Sequence, residues 1–526
     1  MKRRRRGAIC FMFRPYSNAS LFFSPVRVRS LFINSPKMSA RECSLHDLED
    51  CDVAVIRKSS LSWYDKNKRD LPWRQKAKTV EDDNERSYAV WVSEVMCQQT
   101  QVATVIDYYN RWMKRWPTVQ SLATATIEEV NEMWSGLGYY SRGRRLWEGA
   151  KKVVDELDGQ MPKTADSLQK LLPGVGRYTS CAIASISFGE RVGVVDGNVI
   201  RVMSRLRAIG AESQQPATMD RFWSLADQVV DPDRPGDCNQ ALMELGATVC
   251  SPKTPSCSTC PLQSVCKAYS MTKSTRSSSC QKFFSLSSPS PDVKKRRGAT
   301  GKDSSECGLC IPADQWDSSA GVCNFPRKAK KKAPLKEDYV TAVVSRHCVA
   351  TGGNEYFLAK RRGEGLLAGL WEFPCLQVAD SSLSQKASHK LLTEHLRDAC
   401  AVDIRSLKST LLGEVSHTFS HRLHTYHVYS IQLAAMKSES CTDELGDSTQ
   451  QQSVQWVEDI NSVAISTAVR KIMALVTTST SKKKTASSAT PAKRKHATKD
   501  TAGGSSNAKR TKTATLDSFV KKEKKA

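Results

Sequence analysis

The chain has 526 residues, enough for two or three domains, and no uncharged apolar run long enough to span a membrane. Its formal charge is +25, but residues 1–41, 270–336 and 477–526 carry +10, +9 and +11, so the remaining body is about −5. A uniformly basic body is thereby excluded, and any grip on an acidic polymer must come from local sites. Eighteen cysteines without a secretory signal point to a reducing compartment, where thiols hold metals or pack rather than form disulfides.

Residues 1–41 are Arg-rich and acid-free, with Phe, Leu and Val interspersed. They read as a mitochondrial presequence, with Met38 as a second start, against the plainer reading of a disordered basic arm. Residues 52–269 predict a mostly helical domain. "VSEVMCQQTQVATVIDYYNRWMKRW" has apolar residues at helical spacing. Glu94 within it is either an exposed residue on a polar face or a buried carboxyl whose raised pKa suits acid catalysis. "TIEEVNEMW" and "TADSLQKLL" each open on Thr with acids in the first turn, a helix-start pattern.

"LPGVGR", residues 172–177, places Gly174 and Gly176 between helical segments. It is either a plain turn or a hairpin whose exposed amides bind phosphate without reading sequence. "VVDGNVIRV" brings Asp196 to a turn with Gly197 and Asn198, as a helix cap or as a catalytic carboxylate. Cys250, Cys257, Cys260 and Cys266 follow at C-x6-C-x2-C-x5-C, a ligand set for zinc or for a [4Fe–4S] cluster. Zinc ribbons show two C-x2-C pairs, and here there is one.

The Ser-, Lys- and Pro-rich stretch 270–336 reads as an interdomain linker and contains "CGLC", Cys307 and Cys310. Residues 337–476 read as a second, α+β domain. "YVTAVVSRHCVA" and "EYFLAKRR" are strands around "TGGN", "SLSQKASHKLLTEHLRDA" is a helix, and "HRLHTYHVYSIQL" is a further strand. Residues 477–526, with "KKK", "KRK" and "KR" clusters, read as a disordered basic tail or import signal.

"WVSEVMCQQTQVATVI", "GLGYYSRGRRL", "LPGVGRYT", "VVDGNVIRV", "NQALMELGA", the four-cysteine loop, "GLLAGLWEFP" and "HTFSH" stand in one order. That order resembles the endonuclease III superfamily of helix-hairpin-helix DNA glycosylases, and within it the MutY-type adenine DNA glycosylases in their eukaryotic form. The resemblance covers residues 60–270 densely and 337–476 more sparsely. It implies a mostly α catalytic domain with a [4Fe–4S] loop at the four cysteines, followed by a C-terminal α+β Nudix-like domain. It also implies base excision repair on double-stranded DNA, with removal of adenine mispaired with 8-oxoguanine or guanine.

Roles carry over by motif. Glu94 would protonate N7 of a flipped adenine, and Asp196 would stabilise or trap the oxocarbenium-like sugar, supported by Asn198 and Tyr178. Lyase relatives carry a lysine at the position of Tyr178, so a monofunctional glycosylase is expected. Trp73 and Gln240 would line the adenine pocket. Gln98, Gln99 and Thr100 would meet DNA, Leu137 and Tyr139 would wedge the duplex open, and Gly174 and Gly176 would hold its backbone. Cys97 departs from the family's usual Leu. Phe419, Ser420 and His421 would read 8-oxoguanine. The helix "HKLLTEHLRDA" lacks the R-E-x-x-E-E run of Nudix hydrolases, so phosphate hydrolysis is not expected.

By the same resemblance Cys307 and Cys310 would hold a linker zinc, with Cys323, Cys280 and His46 as candidate partners. The family's usual upstream third Cys is not at its expected spacing. "SPDV", residues 290–293, resembles the linker piece that meets the checkpoint clamp, and the linker is also where an AP endonuclease would dock. "TATLDSFV", residues 513–520, resembles a sliding-clamp (PCNA) ligand through Leu516 and Phe519. Nucleus and mitochondrion are the expected locations, and no membrane is expected.

Overall fold

A computed structural model describes residues 44–274, 307–328, 333–349, 351–361, 367–379, 384–400, 404–419, 421–433 and 453–486. The basic stretch 1–41, Cys280, "SPDV", Ser420 and the tail motif "TATLDSFV" lie outside the described residues. Two compact units form: one from the described parts of residues 1–91, 161–171 and 175–330, the other from those of 92–160, 172–174 and 331–526. Residues 92–160 fall in the second of these units.

In chain order the helices are α1 (Asp50–Asn67), α2 (Pro72–Thr79), α3 (Asp83–Cys97), α4 (Val102–Arg115), α5 (Val119–Ala123), α6 (Ile127–Trp134) and α7 (Ser141–Glu156). There follow α8 (Ala165–Leu171), α9 (Arg177–Phe188), α10 (Gly197–Leu206), α11 (Pro216–Val229), α12 (Pro235–Thr248) and α13 (Lys267–Ser274). No helix among the described residues is long and apolar enough to cross a membrane.

In the first unit, α10 buries Val199, Val202, Met203 and Leu206, and α11 buries Phe222, Leu225, Ala226 and Val229. Both follow the i, i+3, i+4, i+7 spacing of a single apolar stripe. Helix α9 is buried on nearly all sides, as its run of Ala, Ser, Cys and Ile permits. It stops at Gly189, whose φ of 69° provides the left-handed cap. Part of the expected linker, residues 307–328, packs here: Ile311, Val322 and Phe325 share a core with Ala208 and Ala268. Gly210 permits this, because a Cβ there would lie 2.4 Å from Ile311 Cβ.

In the second unit, α5 and α6 open on capping boxes at Thr118/Ser121 and Thr126/Glu129, the second as the "TIEE" pattern predicts. A mixed sheet follows: β1 (Leu335–His347), β2 (Asn354–Lys360), β3 (Trp371–Glu372), β4 (Cys375–Val378), β5 (Thr410–Phe419), β6 (Arg422–Gln432) and β7 (Val454–Val457). The order is β3-β2-β1-β6-β5, with β1 parallel to β6 and antiparallel to β2 and β4, and β7 on β2. Alternate residues of β1 serve two cores. Tyr339 and Val343 face one with Val469 and Ile472 of α15 (Thr467–Ala486); Val340, Ala342 and Val344 face the other with Leu392 and Leu396 of α14 (Gln385–Cys400). A sheet covered on both faces explains the continuously buried run "YVTAVV", in which Thr341 is the one polar residue.

Two features were not expected. "HTFSH" lies at the connection between β5 and β6, not merely before a strand. Helix α15 continues past residue 476 to Ala486.

Candidate functional site

The "LPGVGR" hairpin joins α8 to α9. Leu172 and Val175 are buried, which turns Gly174 and Gly176 outward. Gly174 has φ of 75°, and a Cβ there would lie 2.6 Å from Arg145 Cδ. Gly176 is the N-cap of α9, so free helix amides stand beside an exposed, side-chain-free backbone. That is a phosphate-binding arrangement.

Asp196 caps α10. Its Oδ1 accepts the amides of Asn198 (2.9 Å) and Val199 (2.7 Å), and its Oδ2 accepts from Asn198 Nδ2 (2.7 Å). Burial pushes its carboxyl above the usual range, and these neutral donors, with a smaller pull from the nearby Arg201 guanidinium, oppose the shift without cancelling it. Cap and perturbed acid are therefore one residue. Asn198 Oδ1 accepts from Arg201 Nη2 (2.8 Å), and Arg201 reaches Gly246 O (2.6 Å) and Cys250 O (2.7 Å). Gly246 on α12 allows this close crossing, since a Cβ would meet Asn198 Cβ at 2.6 Å. Tyr178, on the first turn of α9, donates to Met243 Sδ at 3.5 Å.

Trp73 is buried at the start of α2, and the next residue supplies a group that sequence reading missed. Arg74 Nε donates to Gln240 Oε1 (3.1 Å), and Arg74 Nη2 donates to Glu244 Oε2 (2.9 Å). Arg69 binds the same carboxylate through Nε (2.7 Å), Nη2 (2.9 Å) and its amide (3.2 Å). Burial pushes the Glu244 carboxyl up, but the two guanidiniums outweigh it and hold it below the usual range. Gln240's amide is consequently fixed with its NH2 as the remaining donor group. The signal was present: an acid inside the apolar helix "NQALMELGA", four residues after Gln240.

In the second unit Glu94 is half-buried, three residues before the end of α3. Gln98, Gln99 and Thr100 follow directly, Gln99 with φ of 56°. Leu137 is only 6% exposed while Tyr139 is 47% exposed at φ of 49°, so Tyr139 is the side chain presented by "GLGYY". A pocket of about 860 Å³, counting its mouth, is lined by Tyr139, Ser141 and Arg144 together with His417, Thr418 and Phe419. Phe419 is half-buried, its ring 4.3 Å from that of His417 and 4.7 Å from His424, and His421 is exposed.

Two cysteine groups remain. Cys250, Cys257, Cys260 and Cys266 line one pocket of about 330 Å³. Four thiols on one pocket are a ligand set of the kind that holds an iron–sulfur cluster or a metal ion. Burial pushes the Cys260 and Cys266 thiols up to about 11 and 12, so metal binding there must release protons. Arg205, 3% exposed, donates to Cys250 Sγ (3.2 Å) and to the carbonyls of Ser251 and Phe325, tying the loop to residues 307–328.

His46, Cys307 and Cys310 form the second group, their donor atoms all within 4.8 Å. His46 Nδ1 bonds Arg207 O (2.8 Å) and Nε2 faces Cys310 Sγ (3.2 Å), the arrangement of a metal-ligating histidine with its other nitrogen anchored. Cys323 is elsewhere, with Sγ 3.7 Å from Arg205 Nη2.

Residues 92–228 match the family model of the HhH-GPD superfamily base excision DNA repair protein, and residues 347–475 match a NUDIX domain model. The chain is 50% identical to adenine DNA glycosylase of Mus musculus over 424 residues, which is 80% of this chain and 78% of that protein. It is 48% identical to the Homo sapiens protein of the same name over 439 residues, 83% and 76% of the two. Adenine DNA glycosylase of Arabidopsis thaliana is 38% identical over 464 residues, 81% and 65% of the two. With the helical fold, the Nudix-like sheet and this identity over most of both chains, the chain belongs to the adenine DNA glycosylases, enzymes of base excision repair.

Proposed function

We propose that the enzyme removes adenine opposite 8-oxoguanine, and more slowly opposite guanine, by acid-assisted hydrolysis without strand cleavage. The observation that carries this reading is Asp196: a carboxylate raised by burial and hydrogen-bonded only by neutral donors responds strongly to positive charge developing on a sugar. The adenine leaves the stack to be reached. Glu94 protonates its N7, Asp196 stabilises the oxocarbenium-like sugar, and Glu94 then deprotonates the attacking water. Gln240 and Trp73 hold the base, with Arg74 setting the amide's direction. Tyr178 has no amine, so no Schiff base forms with the sugar.

The exposed amides at Gly174 and Gly176 hold the duplex backbone. Phe419, Ser420 and His421 read the 8-oxoguanine strand, which the pocket joining Tyr139 to Phe419 supports. The four loop cysteines hold a [4Fe–4S] cluster, which supplies rigidity and no step of the hydrolysis. His46, Cys307 and Cys310 hold zinc. The sliding clamp PCNA at 513–520, the checkpoint clamp and AP endonuclease at the linker, and residence in nucleus and mitochondrion complete the proposal.

Single-turnover cleavage, developed with alkali, tests it on duplexes pairing adenine with 8-oxoguanine, guanine and thymine. The expected order is fast, slower and none. No product should be trapped by borohydride, and Glu94→Gln should bind duplex without cleaving it. Equal rates on all three pairs, or a borohydride adduct, would overturn the reading.

A further inference from the structure

Arg142, the second residue of α7, bonds to two separate stretches of chain, residues 95–100 and residues 138–139. Its Nη1 is shared among the carbonyls of Val95 (2.9 Å), Met96 (3.2 Å) and Gln98. Its Nη2 donates to Thr100 Oγ1 (3.2 Å) and Gly138 O (3.1 Å), and Nε lies 3.4 Å from Tyr139 O. The guanidinium also lies 5.2 Å from the Tyr139 ring centre. Burial pushes its pKa down to about 10, so it stays cationic at neutral pH.

Two of these acceptors have a particular meaning. Gln99 and Tyr139 are non-glycine residues at φ of 56° and 49°. Such a conformation is unfavourable for a residue with a side chain and persists only where its surroundings hold it. The carbonyls of Gln98 and Gly138 belong to the peptide planes that precede those two residues, and Arg142 binds both. The carbonyls of Val95 and Met96 are orphan acceptors of the last turn of α3, the turn after Glu94, where a cation is favoured. One guanidinium therefore pins the end of the helix carrying the acid and the turn presenting the exposed tyrosine. Its donors are all spent on protein, so it is not a phosphate contact.

We propose that Arg142 is the positioning residue that holds Tyr139 out as the duplex wedge and ties base extrusion to the helix that carries Glu94. This rests on the reading of Glu94 as the acid acting on a flipped base. A lysine in its place keeps a charge near the end of α3 but has no fork to fix two separate peptide planes.

The test places 2-aminopurine, fluorescent when unstacked, opposite 8-oxoguanine in a duplex bound by Glu94→Gln, with and without Arg142→Lys. The parent should show the fluorescence rise. The double variant should bind the duplex with unchanged affinity and lose most of that rise. Arg142→Lys alone should cleave adenine at saturation about 100-fold more slowly, the size of a geometric misplacement, with the same pH profile. Arg142→Gln should do at least as much.

A rise and a rate like the parent's in Arg142→Lys would overturn the proposal. So would a melting point roughly 10 °C lower, because the residue would then serve the fold and not the wedge. A Glu94→Gln parent that still cleaves adenine would fail the acid reading instead. A parent that binds without any rise would fail the extrusion reading, and the Arg142 proposal with it.

Discussion

Asp196 on α10 and Glu244 on α12 are acids on two helices that cross closely at Gly246, and the fold treats them oppositely. Glu244 is 1% exposed and takes four side-chain and backbone bonds from Arg69 and Arg74, so its charge is fixed and its pKa lowered. Asp196 is half-buried and takes three bonds from neutral donors only, so burial prevails and its pKa is raised. Burial alone does not separate them; direct bonding to guanidiniums does, since Arg201 acts on Asp196 without touching it. A paired carboxylate has nothing left for a substrate, whereas an unneutralised one can stabilise charge that appears only in the transition state.

The comparison breaks most visibly at Asp196. Asp196→Asn should slow adenine release at least 1,000-fold, about 4 kcal/mol in the barrier. Its urea midpoint should stay the same or rise, since Asn keeps an oxygen for the two capping amides and removes a desolvated charge. Stability falling in step with rate would mean that Asp196 is chiefly a cap. Glu244→Gln should do the reverse to stability. It strands Arg74, and unfolding should be easier by about 3 kcal/mol, the low end for a buried pair because Arg69 is partly solvated. An unchanged urea midpoint would show that the two arginines do not depend on that carboxylate.

Acid sharpens the contrast. Glu244 has a folded pKa below its unfolded value, so its stabilisation is present above the ordinary carboxylate range near pH 4 and fades as pH falls through the lowered pKa. Asp196 has the opposite sign: its contribution is most favourable below about pH 4 and is lost as pH rises through the raised pKa. In urea titrations from pH 7 to about pH 3, the deficit of Glu244→Gln should shrink. Any gain of Asp196→Asn should shrink as well. Parallel curves at all pH values would mean that neither carboxyl is shifted.

Asp196 was legible because an apolar run delivers it to a Gly-Asn turn, although cap and perturbed acid could not be ranked until both proved to be the same atoms. Glu244 was not singled out, since its meaning depends on Arg69 and Arg74, some 170 positions away. The helix starts at Thr126 and Thr164 were readable from local capping chemistry. Strand β5 was not, because "TLLGEVSHTF" is a half-buried strand with a bulge between Leu411 and Gly413, and its pattern is broken there. Leu137 and Tyr139 look interchangeable in "GLGYY"; only the backbone, turning at Gly138 and Tyr139, buries one and presents the other. The packing of residues 307–328 was hidden by a Ser- and Lys-rich composition around a few buried side chains.

The smallest effect belongs to Arg201, which touches neither acid. Its Nη2 holds Asn198 Oδ1, so the Asn198 amide presents Nδ2 to Asp196 Oδ2. Released, that amide can turn its oxygen toward the carboxylate, and a stabilising donor becomes a repelling dipole. Arg201→Lys keeps the charge but cannot bind Asn198, Gly246 and Cys250 together. The rate should fall about tenfold, one decade or 1.4 kcal/mol. Losing a donor to the ionised form raises Asp196 further, so the acid limb of the pH–rate profile should move to higher pH. That shift is the decisive reading. If the rate falls while the acid limb stays in place, Arg201 acts through the Cys250 loop it also binds, and the neutral-donor account of Asp196 loses its outer support.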